Sequence, residues 1–360
     1  MIRKLSIENF RGFQHIDMND LTRVALVSGR NNIGKSSLLE GLFLMMDHAA
    51  ADSFGKLSSF RNSLVTGSTT LWGPLFLNMD TSKHIHIRFM DESKWARLEY
   101  WKDENYLPQN VNGISEDTLV QFRTALKNDY ALSFSYKEGG IGRMIEDYHE
   151  LCHFSLNNVG SIMREISTNL PGNEVKTQIS TQYLNSVFSR STDNLLSSIG
   201  RYELEGKKSE ILDIIRELDP SIEDIITVAP QGVPQLYIKM GGKTIPLQYS
   251  GDGTIKLLNV CVAMLERENG LVLIDELETG FHYSMYGKLW NIIEKISKKS
   301  NCQVIATTHS YELISAVSEN FDDKDAFSYY RMGRRNDGVT LFRYDFDLLD
   351  HALASDMEVR

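Results

Sequence analysis

The chain has 360 residues, a formal net charge of -10 from 48 acidic and 38 basic side chains, and three cysteines. That length allows one large domain or two modest ones, each with its own core, while the scattered Cys152, Cys261 and Cys302 fit neither a disulfide framework nor a CxxC knuckle and point to free thiols in a reducing cytoplasm. The acidic balance has the wrong sign for coating nucleic acid by bulk charge, so DNA is left only a local basic groove, and with no h-region after the basic start and no long apolar run a soluble, cytoplasmic protein without membrane contact is expected.

The opening reads as a strand over Ile2 to Ile7, a bend at Asn9-Phe10-Arg11-Gly12 and a second short strand. The apolar run Val24 to Ser28 then has the bounds of a buried parallel strand and leads into Gly29. After Lys35 the spacing of Leu38, Leu39, Leu42, Leu44 and Met45 is helical, so a glycine-rich loop falls between a strand and a helix. The polar loop from Asp52 to Thr70 is expected to be mobile. Alternation over His84 to Phe89, Trp95 to Trp101 and Ala131 to Tyr136 predicts antiparallel strands of a side sheet. From 141 to 225 the pattern is mostly helical, over Ile141 to Leu151, Val159 to Ile166, Ile179 to Ile199 and Lys208 to Leu218. No apolar heptad is sustained, so no long coiled-coil arm is expected. Beyond Pro230, strands at Gln235 to Met240 and Thr244 to Leu247 precede a turn at Ser250-Gly251-Asp252-Gly253 and an apolar helix. An α/β rhythm closes the chain: strand Leu271 to Ile274, helix Tyr286 to Ile296, strand Gln303 to Thr307, helix Tyr311 to Val317.

Gly29-Arg30-Asn31-Asn32-Ile33-Gly34-Lys35-Ser36 fits GxxxxGK[ST], and Ser37 continues the loop into the helix. In such a loop glycines let backbone N–H groups curl around phosphate oxygens, and the helix behind offers its positive end. Lys35 is expected to reach the β- and γ-phosphates of ATP and Ser36 to ligate Mg²⁺. Leu271-Val272-Leu273-Ile274-Asp275-Glu276 ends a buried strand in two acids. At the rim of an open parallel sheet Asp275 would hold Mg²⁺ and Glu276 would polarise the attacking water, although acids in this place also serve as helix caps.

At these motifs the chain resembles the ABC-type ATPases, the group containing the SMC and RecF proteins, and within it the OLD-like family. Ile7-Glu8-Asn9-Phe10-Arg11-Gly12-Phe13 is similar to that family's "NFRGF" opening, and Ser250-Gly251-Asp252-Gly253-Thr254 resembles its version of the ABC signature. Asp275-Glu276-Leu277-Glu278-Thr279-Gly280-Phe281-His282 is similar to its extended acidic motif, and Thr307-Thr308-His309-Ser310 to its switch-histidine motif. The resemblance implies a P-loop ABC-type ATPase head of the α/β class with an antiparallel side sheet and a helical insertion. It divides the chain into 1–140, an N-terminal ATPase lobe; 141–230, a mostly helical insertion; and 231–360, a C-terminal ATPase lobe carrying the signature, the acids and His309.

It further implies a homodimer or higher homo-oligomer in which Ser250, Gly251 and Gly253 of one copy complete the ATP site of the other, while His309 contacts the γ-phosphate. A histidine in this place is otherwise a packing or capping residue, and Arg11 is either near the nucleotide or a structural arginine. Family members of this kind act with a separate effector protein, notably in anti-phage defence; the alternative is a RecF-like DNA-binding ATPase working through Arg331, Arg334 and Arg335, with Lys207–Lys208 and Lys298–Lys299 as smaller basic clusters. Three departures stand out. The signature carries Asp252, no glutamine presents itself for Mg²⁺ beyond Gln109 and Gln121, and no nuclease domain follows, so intrinsic nuclease activity is not expected. Cys152-His153 and the pair His84 and His86 lack the further ligands a zinc site needs.

Overall fold

The computed structural model describes residues 1–48, 53, 56–57, 72–103, 131–141, 148–156, 162–169, 179–185, 192–335, 338–355 and 357–359. The hairpin β1 (Lys4–Phe10) and β2 (Phe13–Met18) precedes β3 (Val24–Gly29) and α1 (Lys35–Met46). Next come β4 (Ile85–Met90), β5 (Lys94–Lys102), β6 (Ala131–Gly140), β7 (Tyr148–Leu156), β8 (Ile162–Asn169) and the short β9 (Thr181–Leu184). Two helices, α2 (Asp193–Leu204) and α3 (Lys208–Leu218), lead to β10 (Ile222–Val228), β11 (Gln235–Met240) and β12 (Lys243–Pro246). The remainder is α4 (Asp252–Glu266), β13 (Leu271–Ile274), α5 (Tyr286–Lys299), β14 (Gln303–Thr307), α6 (Tyr311–Asn320), β15 (Phe327–Arg335), β16 (Gly338–Tyr344) and α7 (Phe346–Ala354).

The central six-stranded sheet has the order β16-β15-β3-β14-β13-β9. β9, β13, β14, β3 and β15 run parallel and β16 closes the edge antiparallel. Every residue of β3, β13 and β14 is buried, because both faces of this sheet are covered. The pleat divides their side chains between two cores. Val24, Leu26, Val272, Ile274, Val304 and Ala306 join a core with α3, α4 and α5, whereas Ala25, Val27, Leu271, Leu273 and Ile305 join one with α1 and the second sheet.

That second sheet is antiparallel and seven-stranded, β2-β1-β4-β5-β6-β7-β8. β4 alternates buried and more exposed residues, so one face packs on the core and the other meets solvent. Between 141 and 169 the helical expectation is overturned: β7 pairs with β6 from Ala131↔Ser155 to Glu138↔Tyr148, and β8 pairs with β7. Tyr148, Leu151 and Cys152 stand at i, i+3 and i+4 and mimic a helical face, but the neighbouring strand's ladder decides the conformation. The stretch 179–199 is likewise not one helix. Its first part is β9, a four-residue strand held by β13, and α2 begins only at Asp193. The loop from 52 to 70 lies almost wholly outside the described residues, and Gln109 and Gln121 entirely so.

Candidate functional site

The carboxyl ends of β3, β14 and β13 lie side by side, and the predicted motifs converge there. β3 ends at Gly29, and the chain turns back through Asn32 (φ 59°) and Gly34 (φ 114°) into α1. A Cβ on Gly34 would stand 2.8 Å from the Phe13 ring, so glycine is demanded by both torsion and space. α1 starts without a side-chain cap and without an acid in its first turn, which leaves its positive end uncompensated. Lys35 is buried; its Nζ donates to Gly29 O at 2.7 Å and Arg30 O at 3.2 Å, in the mouth of the loop. Burial holds its pKa below the ordinary lysine value, while the carboxylates of Glu278, Asp275 and Glu276 push it back up.

Thr307, the last residue of β14, knits the acids in place. Its hydroxyl donates to Asp275 Oδ1 at 2.5 Å and accepts from the Glu276 N–H at 2.9 Å. Leu277 N–H donates to Thr307 O, and Thr308 N–H donates to Val27 O, so the three strand ends are tied together. Asp275 is only 6% exposed, and Glu276 sits in the left-handed region at φ 50°. His309 stands just beyond β14. Its backbone N–H and its Nδ1 both lie 2.9 Å from Glu278 Oε1.

The signature residues reach this rim through α4. Ser250 Oγ donates to Leu247 O at 2.7 Å, Gly251 (φ 104°) is exposed, and Asp252 opens the helix. A Cβ on Gly253 would lie 2.5 Å from Gly280 O, which fixes glycine where the helix start meets the acidic loop. One turn on, buried Lys256 donates to Glu276 O.

Arg11 is a structural arginine: its Nε is 2.6 Å from Glu40 Oε2 on α1, with Glu40 2% exposed. The basic cluster on β15 is split, because strand alternation sends Arg334 to the face opposite Arg331 and Arg335. The lysine pairs are engaged with acids: Lys207 with Glu205, Lys208 with Glu203 and Asp224, Lys298 with Glu294, Lys299 with Glu210. His84 and His86 both approach Glu99, and buried Cys152 lies at the middle of β7. Among the described residues no helix is long and apolar enough to cross a membrane.

Two rim residues carry no role in the sequence reading. Thr307 is visible there as part of the switch motif, but its bonds to the acids depend on the β13–β14 register. Asn185, 3% exposed, follows β9 directly, and the Asp275 N–H donates to Leu184 O beside it. Nothing local distinguishes it, because β9 was read as helix.

A glycine loop opening a helix, with two acids and a histidine at the neighbouring strand ends, defines an α/β P-loop ATPase, built here with an antiparallel side sheet. The chain belongs to the AAA ATPase domain family, which it matches over residues 1–314. It is similar to an ATP/GTP phosphatase of Helicobacter pylori, 23% identical over 341 residues that cover 90% of each chain. It is also similar to the Septu protein PtuA of Bacillus thuringiensis, 24% identical over 341 residues covering 92% of this chain and 78% of that one. Among solved structures, the SMC head domain from Thermotoga maritima aligns over 95% of this chain and 98% of that one, at 11% identity and a TM-score of 0.45.

Proposed function

We propose that this ATPase is a molecular switch: two copies close around ATP and Mg²⁺, hydrolysis lets them open, and a separate effector protein reads the state. The observation that carries this reading is the signature segment. Gly251 and Asp252 are exposed at the start of the 15-residue helix α4, and Tyr249 just before them stands open to solvent at 73%. A helix end whose backbone amides lie on an exposed surface with a large aromatic side chain suits a second copy's nucleotide, with the carboxylate of Asp252 in the first turn as a charge opposing an anion there.

In each site the backbone of Gly29 to Ser37 would cradle the phosphates and Lys35 would leave its loop carbonyls for the β- and γ-phosphates. Mg²⁺ would neutralise phosphate charge; the hydroxyl of Ser36, the carboxylate of Asp275 and the amide of Asn185 are the oxygen donors a hard dication takes. Glu276, set by Thr307, would accept a proton from the attacking water, and His309 would contact the γ-phosphate. The OLD-like resemblance, together with the similarity to a Septu protein, favours anti-phage defence as the setting.

Light scattering with and without ATP and Mg²⁺ tests the reading on wild type, Glu276→Gln and Lys35→Ala. The expected result is a long-lived species of doubled mass for Glu276→Gln and no change for Lys35→Ala. Mass indifferent to nucleotide in all three would overturn closure around a shared site.

A further inference from the structure

Glu278 has no part in the roles above, yet it is among the most constrained side chains of the rim. It is 7% exposed, and one of its oxygens, Oε1, serves His309 twice, facing the backbone N–H and the ring Nδ1, each at 2.9 Å. The other oxygen, Oε2, is buried with no hydrogen-bond partner among the described residues. Burying an unsatisfied carboxylate oxygen is costly, and such groups persist where function uses them.

We propose that Glu278 is the positioning residue of His309: it accepts from Nδ1–H, locks the ring's orientation, and so leaves Nε2 facing the nucleotide, where it must carry a proton of its own to donate to the γ-phosphate. The chemistry follows from the acceptor. An ionised carboxylate can only accept, so the ring nitrogen facing it must be Nδ1–H, and the free edge of the half-exposed ring is Nε2. The bond from the backbone N–H of the same residue holds the carboxylate oxygen beside the ring, and the contact at Nδ1 restrains the ring's rotation. Among the carboxylates that push the Lys35 pKa back up, Glu278 acts most strongly, ahead of Asp275 and Glu276. Carboxylates behind metal-bound histidines orient those rings in the same way, and their loss costs about 10–100-fold.

The inference rests on the reading that His309 faces the nucleotide, and the test separates the two. Protein labelled with ¹⁵N in histidine is examined by two-bond ¹H–¹⁵N spectra without nucleotide at about pH 9, above the ordinary histidine range. The His309 signals are identified by their absence in His309→Ala. Wild type and Glu278→Gln, which keeps a carbonyl acceptor, are expected to show the Nδ1–H tautomer; Glu278→Ala is expected to move to the Nε2–H tautomer. Steady-state turnover should fall about 10–100-fold in Glu278→Ala with KM changed less than about threefold, and Glu278→Gln should recover part of the loss. An unchanged tautomer in Glu278→Ala, or turnover within about twofold of wild type while His309→Ala is inactive, would overturn the inference alone. If His309→Ala itself turns over like wild type, the nucleotide-facing reading fails, and the spectra still judge the pairing.

Discussion

The strand β4 of the side sheet and the strands of the parallel sheet treat polar side chains in opposite ways. In the side sheet, β4 sends its polar residues to solvent, where an arginine or histidine needs no special partner. In the parallel sheet β3, β13 and β14 are buried throughout, and the polar groups among them or just past their ends, Ser28, Lys35, Asp275, Thr307 and Thr308, are held out of water as well. A buried polar group needs a reason. Here the reason is one rim, and the contrast with β4 is what separates candidate chemistry from ordinary surface.

The sharpest way to break that comparison is at the rim itself. Lys35→Ala should weaken ATP binding by roughly 100-fold or more, measured by calorimetry, since it removes the only lysine of the loop. Glu276→Gln should bind ATP normally but release phosphate about 10²–10⁴-fold more slowly. Equal loss of binding in both would mean that the acids are structural.

Glycines give the next test. Gly253→Ala places a Cβ 2.5 Å from Gly280 O and should cost about 1–3 kcal/mol in denaturant unfolding, with loss of ATP-dependent mass change. Gly12→Ala, in the side-sheet hairpin with nothing within 4 Å of the added Cβ, should stay within about 0.5 kcal/mol of wild type. Thr307→Val keeps the shape but strips the hydroxyl from both acids; a loss of about 1–3 kcal/mol is expected, alongside slower turnover.

One of the side sheet's buried polar groups supplies a smaller, pH-dependent effect. Asp91 is buried in the β4–β5 turn; burial raises its pKa, but N–H bonds from Ser93 and Lys94 and the Ser93 hydroxyl leave it below the usual carboxylate value. A carboxyl with a depressed folded pKa stabilises above its unfolded pKa, and that contribution fades as pH falls through the folded value. The Tm gap between wild type and Asp91→Asn, roughly 1 kcal/mol in stability near neutrality, should therefore shrink on acidification below about pH 4. Smallest of all, Arg88→Ala on the solvent face, where the pairing with Glu8 is at 3.4 Å and half-exposed, should change stability and turnover within error.

The same contrast explains what the sequence could reveal. Val24 to Ser28 and Leu271 to Ile274 are apolar runs bounded by glycine or acids, so their strands and the motifs after them are legible residue by residue. β7 and β8 are not, because their apolar spacing fits a helix and only the growing sheet selects the strand. β9 has four residues and owes its conformation to β13, which also hid Asn185. Glu278 is legible as part of the acidic motif, but its geometry toward His309 depends on where the β13 and β14 ends fall against each other, and no linear spacing contains that.

The contact between Gly253 and Gly280 has one more consequence. On one side the missing Cβ of Gly253 lets the start of α4 lie against the acidic loop, where an added Cβ would be only 2.5 Å from Gly280 O; on the other, buried Lys256 holds Glu276 O. The segment that carries exposed Gly251 and Asp252 is thus joined to the backbone of Glu276 directly, through a close approach at Gly280 and a single lysine one helical turn further on.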